Sequence, residues 1–246
     1  MNRTVIMLLA ASALLLALTT ATAQKKDKPW PEWSKKEAEK MLTDSPWAKL
    51  QTDTDTSEMF YSPTTDPRIN GARTTSNTGA RIAEGAVNSA VNVKFQVRLF
   101  SARPVRQALA RIMELQNPPA EVVAKLHNFA EVKSPDSIIV TVTFESPDQR
   151  YSGVVMQAFN GAITATLKND TYLQRSDGKQ LFLEEYVPPG RDGFGARFIF
   201  LRALDGQPFI KDSTGEIRFY TKYPDGIKVD RRFKLADMMY EGALEY

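Results

Sequence analysis

From Val91 the chain reads VNVKFQVRLF, the stretch that most narrows the choice of fold. Val91, Val93, Phe95, Val97 and Leu99 alternate with Asn92, Lys94, Gln96 and Arg98, and a side-chain period of two belongs to a strand with one buried face. The pattern returns in SIIVTVTFE, where Ile138, Val140, Val142 and Phe144 share a face. It returns again in GIKVDRRFKL, where Ile227, Val229, Phe233 and Leu235 do so and Arg231 is the exception. Turn dipeptides at Asn160-Gly161, Asp177-Gly178, Asp205-Gly206 and Asp225-Gly226 punctuate the same half, as antiparallel hairpins require. RFIFL, residues 197 to 201, is apolar on both faces and predicts a central strand covered on each side.

Between the first two of these strands the period lengthens to that of a helix. Pro104 suits a first helical turn, and Val105, Ala108, Leu109, Ile112 and Met113 form one stripe behind it. Asn117 and Pro118 open another helix carrying Val122, Val123, Leu126 and Phe129. Helices are therefore expected near 104–116 and 118–130. The expected fold class is α+β: a mainly antiparallel β sandwich or curved sheet over residues 91–246, with this helical pair inserted between its first two strands.

The first ninety residues follow other rules. MNRTVIMLLAASALLLALTTATAQ has a cationic start at Arg3, an apolar run from Val5 to Leu18 and a small-x-small site at Ala21-Thr22-Ala23. This predicts a signal peptide over residues 1–23, cut after Ala23, and export to the periplasm or the extracellular space, with an uncleaved membrane anchor as the less favoured alternative. Nothing after it is long and apolar enough to span a bilayer as a helix. The chain has no cysteine, which excludes lipobox lipidation, disulfides, a thiolate nucleophile and cysteine-ligated metal. Loss of Arg3 with the signal lowers the formal charge from +3 to +2, too little to point to nucleic acid or a membrane surface.

Residues 24–50 form a Trp-rich helical segment by the same reading. All three tryptophans, Trp30, Trp33 and Trp47, fall within it. Ser34 and Glu37 make a capping box that starts a helix with Ala38, Met41 and Leu42 on one stripe, Trp33 in place to staple onto Ala38, and Pro46 ending it near Thr43. The tryptophans either dock on the β domain, which is the favoured reading, or form an exposed anchor for a partner. Residues 51–90, rich in Thr, Ser, Asp, Gly and Pro, read as a polar linker or long loop. DTDTSE within it (Asp53, Asp55, Glu58) lacks the turn glycine and terminal glutamate of a calcium loop and reads as a solvated acidic stretch.

Catalytic patterns are sparse. His127 is the only histidine, beside a helical stripe, and no G-x-S-x-G occurs to supply a triad serine. One histidine also excludes multi-histidine zinc sites, and no cofactor or metal is expected. Adjacent Glu184 and Glu185 on a strand point to opposite faces, so a glycosidase-like pair would need carboxylates from separate strands. The loop VPPGRDGFGARF, with Gly190, Gly193 and Gly195, leads into a strand rather than a helix and reads as a connection, not a phosphate cradle. Between Gly85 and Met113 five cations, Lys94, Arg98, Arg103, Arg106 and Arg111, occur without an acid. They form either a patch for an anionic partner or an ordinary face neutralised by acids from elsewhere.

LTDSPWAK (42–49), YVPPGRDGFGARFIF (186–200) and MMYEGALEY (238–246) resemble hypothetical exported proteins of soil bacteria, over most of the chain after the signal. The resemblance implies export and carries no activity, cofactor or catalytic residue with it. The function expected is an exported, noncatalytic binding or interaction protein, periplasmic or envelope-associated, with an envelope protein or an anionic polymer as partner. The alternative is a secreted hydrolase using carboxylates on a sheet face.

Overall fold

The computed structural model of this protein describes residues 28–53, 93–132, 136–146, 149–204 and 206–246. The signal-like residues 1–23, most of the polar stretch 51–90 and the acidic run beyond Asp53 lie outside the described residues. The chain divides into two compact units, Met1–Trp33 and Ser34–Tyr246. In the first, Trp30–Glu32 form one turn of 3-10 helix with Pro31 at its start. Trp33 closes that turn with its N–H on the Trp30 carbonyl at 3.1 Å, and its indole N–H donates to the Lys28 carbonyl at 2.8 Å.

The second unit is α+β, with antiparallel sheets and, among the described residues, no closed barrel. It begins with the capping box expected from the sequence: Ser34 Oγ accepts from the Glu37 N–H at 3.3 Å, and Glu37 Oε2 accepts from the Ser34 N–H at 2.6 Å. The helix behind it, α1, covers Lys35–Thr43 and buries Ala38 and Leu42. The chain then enters the sheet well before residue 91. Ala48–Asp53 form strand β1, antiparallel to β2 (Val93–Leu99), with Ala48 opposite Arg98 and Asp53 opposite Val93. AKLQTD carries no clean period of two, because Gln51 is buried: its side chain donates to the Lys228 carbonyl and accepts from the Asp230 N–H, both at 2.8 Å.

Helices α2 (Arg103–Glu114) and α3 (Ala120–Glu131) follow β2 and lie, in chain order, between the second and third strands. Strand β3 (Ser137–Glu145) returns beside β2. The next segment departs from the hairpin expected at Asn160-Gly161. Gln149–Gly161 form helix α4, so this dipeptide ends a helix, where glycine is equally at home; a short α5 covers Thr164–Leu167. Asp177-Gly178 does make a hairpin, between β4 (Thr171–Arg175) and β5 (Gln180–Phe182). Strands β6 (Glu185–Val187) and β7 (Ala196–Leu201) complete the first sheet, in the order β1-β2-β3-β7-β6. RFIFL is thus interior to that sheet, but only one of its faces is fully covered: Phe198 and Phe200 are buried, while Ile199 is half-buried and Leu201 exposed.

A small hairpin, β8 (Ala203–Leu204) and β9 (Gln207–Pro208), turns at Gly206. Strands β10 (Glu216–Lys222) and β11 (Lys228–Lys234), joined at Asp225-Gly226, give the second sheet the order β11-β10-β4-β5. Its inner face meets the first sheet through aromatic rings: Phe198 of β7 lies edge to face on Phe219 of β10, with centroids 5.1 Å apart. Arg231 keeps the exceptional place its sequence position gives it. It stands on the inward register of β11 opposite Phe219, and its Nε is buried without a hydrogen-bond partner among the described residues. The last hairpin, β12 (Met239–Tyr240) and β13 (Ala243–Leu244), brings residues 245 and 246 back to the body.

One buried polar group in this core has a measurable consequence. Tyr186 donates its hydroxyl to the Phe159 carbonyl at 2.6 Å and lies 3.4 Å from the Tyr223 hydroxyl. Tyr223 stacks on Phe159 at 4.8 Å between centroids. Burial pushes the Tyr186 phenol up to about 12 and that of Tyr223 well above its usual value. An unfolded tyrosine ionises near ~10, so the unfolded chain loses these protons first. The contribution is therefore complete below about pH 10 and falls as pH rises from there through about 12. Urea midpoints followed across this range should drop more steeply for the natural chain than for Tyr186→Phe with Tyr223→Phe.

Candidate functional site: a trough at the open end of strand β3

The ladder between β3 and β7 runs from Ser137–Leu201 to Val142–Ala196 and stops there. Gly195 stops it. With φ at +82° it brings its backbone so close that a Cβ would stand 2.3 Å from the Val142 carbonyl oxygen and 2.6 Å from Thr143 Cγ2. The loop before it then swings away, and Thr143, Phe144 and Glu145 stay paired on one side only, to β2.

A trough fills the space this leaves. Its largest lobe, about 740 Å³, lies between the end of β3, helix α4 and the glycine-rich loop; Phe144, Met156, Phe159, Pro189 and Gly193 form its apolar lining. A middle lobe of about 330 Å³, bordered by Phe100, Leu109 and Phe194, shares Thr143, Phe144, Glu145 and Gly193 with it as lining. A polar lobe of about 600 Å³, bordered by Asp44, Lys94, Gln96 and Arg98, shares Arg98, Thr143 and Glu145 with the middle one. Each lobe is of the size that holds a small molecule or a few residues of a peptide.

The walls are pinned locally. Asp192 accepts from the Phe194 N–H at 3.1 Å and from Arg197 Nη1 at 2.7 Å. The Phe194 N–H hydrogen bond, with Arg197 adding to it against a smaller effect of burial, holds the Asp192 carboxyl below the usual carboxylate range. Phe194 in turn meets Phe100 at 5.2 Å, and Phe100 meets Phe129 of α3 at 5.8 Å. At the polar end Arg98 donates from Nε to the Leu42 carbonyl at 2.7 Å and from Nη1 to Thr143 Oγ1 at 3.1 Å. Burial pushes the Arg98 guanidinium down from its usual value, and Glu145 opposes that shift. Lys94 stands opposite Glu145 in the β2–β3 register. The trough therefore offers an apolar slot, an interrupted strand edge, and fixed donors beside two flanking carboxylates, Asp44 and Glu145.

The basic run does not form one face. Lys94 and Arg98 belong to the polar lobe. Arg103 is paired with Glu241 at 2.8 Å and Glu245 at 3.1 Å, acids about 140 residues away in sequence. Arg106 is buried, 4 % exposed; it donates from Nη2 to the Val132 carbonyl, while its Nε has no hydrogen-bond partner among the described residues. Arg111 pairs with Glu114 at 2.8 Å, and His127 Nε2 lies 3.1 Å from the other oxygen of the same carboxylate. Burial alone would raise the Glu114 carboxyl, but hydrogen bonds from His127 and Arg111 outweigh it and hold the group below its usual range.

Trp47 is separate from Trp30 and Trp33, which belong to the first unit. It is 3 % exposed, donates its indole N–H to the Glu245 carbonyl at 2.7 Å and packs edge-on against Tyr240 at 6.1 Å. Glu184 and Glu185 are both exposed, at the start of β6. The residues that line the trough, Thr143, Phe144, Glu145, Met156 and Phe194, escaped sequence reasoning. Phe144 looks like any core strand residue, and Met156 lies on a helix whose pattern was hidden by its glycines. The one legible signal was the glycine-rich loop, which does lead into a strand and whose last glycine sets where the trough opens. Comparison with protein-family models, with curated proteins and with solved structures gives no match for this chain.

Proposed function

We propose that this chain is an exported, noncatalytic interaction protein, periplasmic or envelope-associated, built on a β sandwich of its two larger sheets. Its trough holds an extended segment of a partner protein. The observation that carries this reading is the interrupted β3–β7 ladder beside an apolar slot of about 740 Å³. By the alternation of an antiparallel strand, Phe144 is the next residue to turn its N–H and C=O toward the unpaired side. An extended peptide laid there continues the ladder with main-chain hydrogen bonds and places alternate apolar side chains against Met156, Phe159 and Pro189. Arg98 and Lys94 then serve an acceptor group at the far end. Export is supported by the cationic, apolar and small-residue order of the first 24 residues, by the lack of cysteine and by the resemblance to exported proteins.

Selection of a random peptide library on the purified chain, followed by calorimetry, tests the site. Met156 is 44 % exposed, so Met156→Glu should fold normally and weaken apolar extended peptides by about tenfold or more. Peptide binding indifferent to this change sinks the trough reading. Turnover of a glycan, ester or peptide substrate that Glu145→Gln or Asp44→Asn abolishes would put the hydrolase in its place. For export, the chain recovered from the cell envelope should begin at Gln24, and intact Met1 on a cytoplasmic chain removes that part of the proposal.

A further inference from the structure

The outward face of the four-stranded sheet carries a second arrangement, made of residues that line none of the three lobes. Phe182 of β5, Tyr172 of β4 and Tyr220 of β10 stand directly opposite one another across the strands. Their ring centroids are 6.0 Å apart for Phe182–Tyr172 and 5.0 Å for Tyr172–Tyr220. The two tyrosine rings are within 18° of parallel and stack on each other. Lys228 Nζ and the Arg218 guanidinium approach the Tyr220 ring, at 5.3 and 5.2 Å from its centroid. Ring faces are thus largely occupied within the protein. What the row offers outward is ring edges, two phenol hydroxyls that have no hydrogen-bond partner among the described residues, and Phe182, 46 % exposed.

The same face is basic. Alternate residues of β10 and β11 point outward with the tyrosine, and they include five cations, Arg218, Lys222, Lys228, Arg232 and Lys234, against two acids, Glu216 and Asp230. That excess of three equals the formal charge of the whole chain, +3, so the charge elsewhere balances. Asp230 is committed to Arg218 through two hydrogen bonds of 2.7 and 2.6 Å, and Glu216 lies 3.4 Å from Arg232. Lys222 and Lys234 have no ion-pair partner among the described residues.

We infer that this face binds an anionic polysaccharide, a chain of sugar rings bearing carboxylate or sulfate groups. Three strands at about 4.8 Å spacing give the aromatic row a length of about 10 Å, enough for a short run of rings. Sugar hydroxyls meet the free phenol groups of Tyr172 and Tyr220, a ring face covers Phe182, and the acid groups meet the lysines of the hairpin. Single-stranded nucleic acid fits less well, since bases bind by stacking on open aromatic faces and these faces are filled by Tyr172, Tyr220, Arg218 and Lys228 themselves. The inference stands independently of the trough.

Calorimetry of the full chain with oligogalacturonate, its neutral methyl ester and an oligothymidylate, at low and at physiological salt, tests it. The polyuronate should bind, weaken about tenfold or more as salt rises, and lose a further factor of about ten with Tyr172→Phe plus Tyr220→Phe at unchanged melting temperature. Lys228→Gln plus Arg232→Gln should flatten the salt dependence. Met156→Glu, in the trough, should leave polyuronate binding as it is. Equal affinity for the neutral ester, indifference to the tyrosine changes, or tighter binding of the oligothymidylate overturns the inference. Loss of polyuronate binding in Met156→Glu also overturns it, by moving that ligand into the trough.

Discussion

Replacing Trp47 by alanine is expected to cost about 3–5 kcal/mol, the range for emptying a large aromatic site in a close-packed core. The side chain is 3 % exposed, its indole N–H holds the Glu245 carbonyl at 2.7 Å, and its ring meets Tyr240 edge-on. Its backbone carbonyl also accepts from the Leu99 N–H at 2.9 Å, so the residue sits where β1 joins β2. For a domain of this size each kcal/mol lowers the melting temperature by roughly 2–4 °C, and a fall on the order of 6–20 °C follows. Trp47→Phe should recover most of the packing but leave the Glu245 carbonyl unmatched, at a cost of about 1–3 kcal/mol. Urea denaturation of the three chains decides the matter. A loss below about 1 kcal/mol for alanine would mean that Trp47 is not enclosed in solution.

Gly195→Ala is the second large effect. A Cβ at 2.3 Å from the Val142 carbonyl oxygen cannot be accommodated by rotating a side chain, because the obstacle is backbone inside a paired strand. The positive φ of +82° adds the ordinary cost of a left-handed residue, roughly 1–2 kcal/mol. Together about 3 kcal/mol or more is expected, with the end of β3 displaced. Gly193→Ala is the matched control: its φ is +76°, yet nothing lies within 4 Å of its Cβ position, so only the backbone term of about 1–2 kcal/mol should appear. Equal melting temperatures for the two variants would show that β3 and β7 do not close at Gly195.

The contrast between these glycines explains what the sequence could reveal. Both stand in one short loop, and nothing local distinguishes the glycine with open space from the glycine pressed against another strand. Strands β2, β3 and β11 were legible because buried apolar residues recur at every second position along them, which writes a period of two into the chain. Strand β1 was not, because Gln51 is buried through hydrogen bonds to residues 228 and 230, a non-local reason for a polar residue to point inward. Helix α4 was hidden by Gly153 and by an Asn160-Gly161 that serves a helix end as readily as a hairpin. The five cations illustrate the same limit. Their spacing is local, but Arg103 meets its acids at positions 241 and 245, so no reading of residues 85–113 could have told a paired arginine from a free one.

The clasp between Trp47 and Glu245 also fixes an order of events. The two residues are separated by 198 positions, and a contact of that span forms only after the entropy of a very long loop has been overcome. Strand β1 can pair with β2 earlier, yet Trp47, just before it, stays uncovered until the β12–β13 hairpin has folded back. Residues 47 and 245 therefore close the second unit jointly, and loosening either end frees the other.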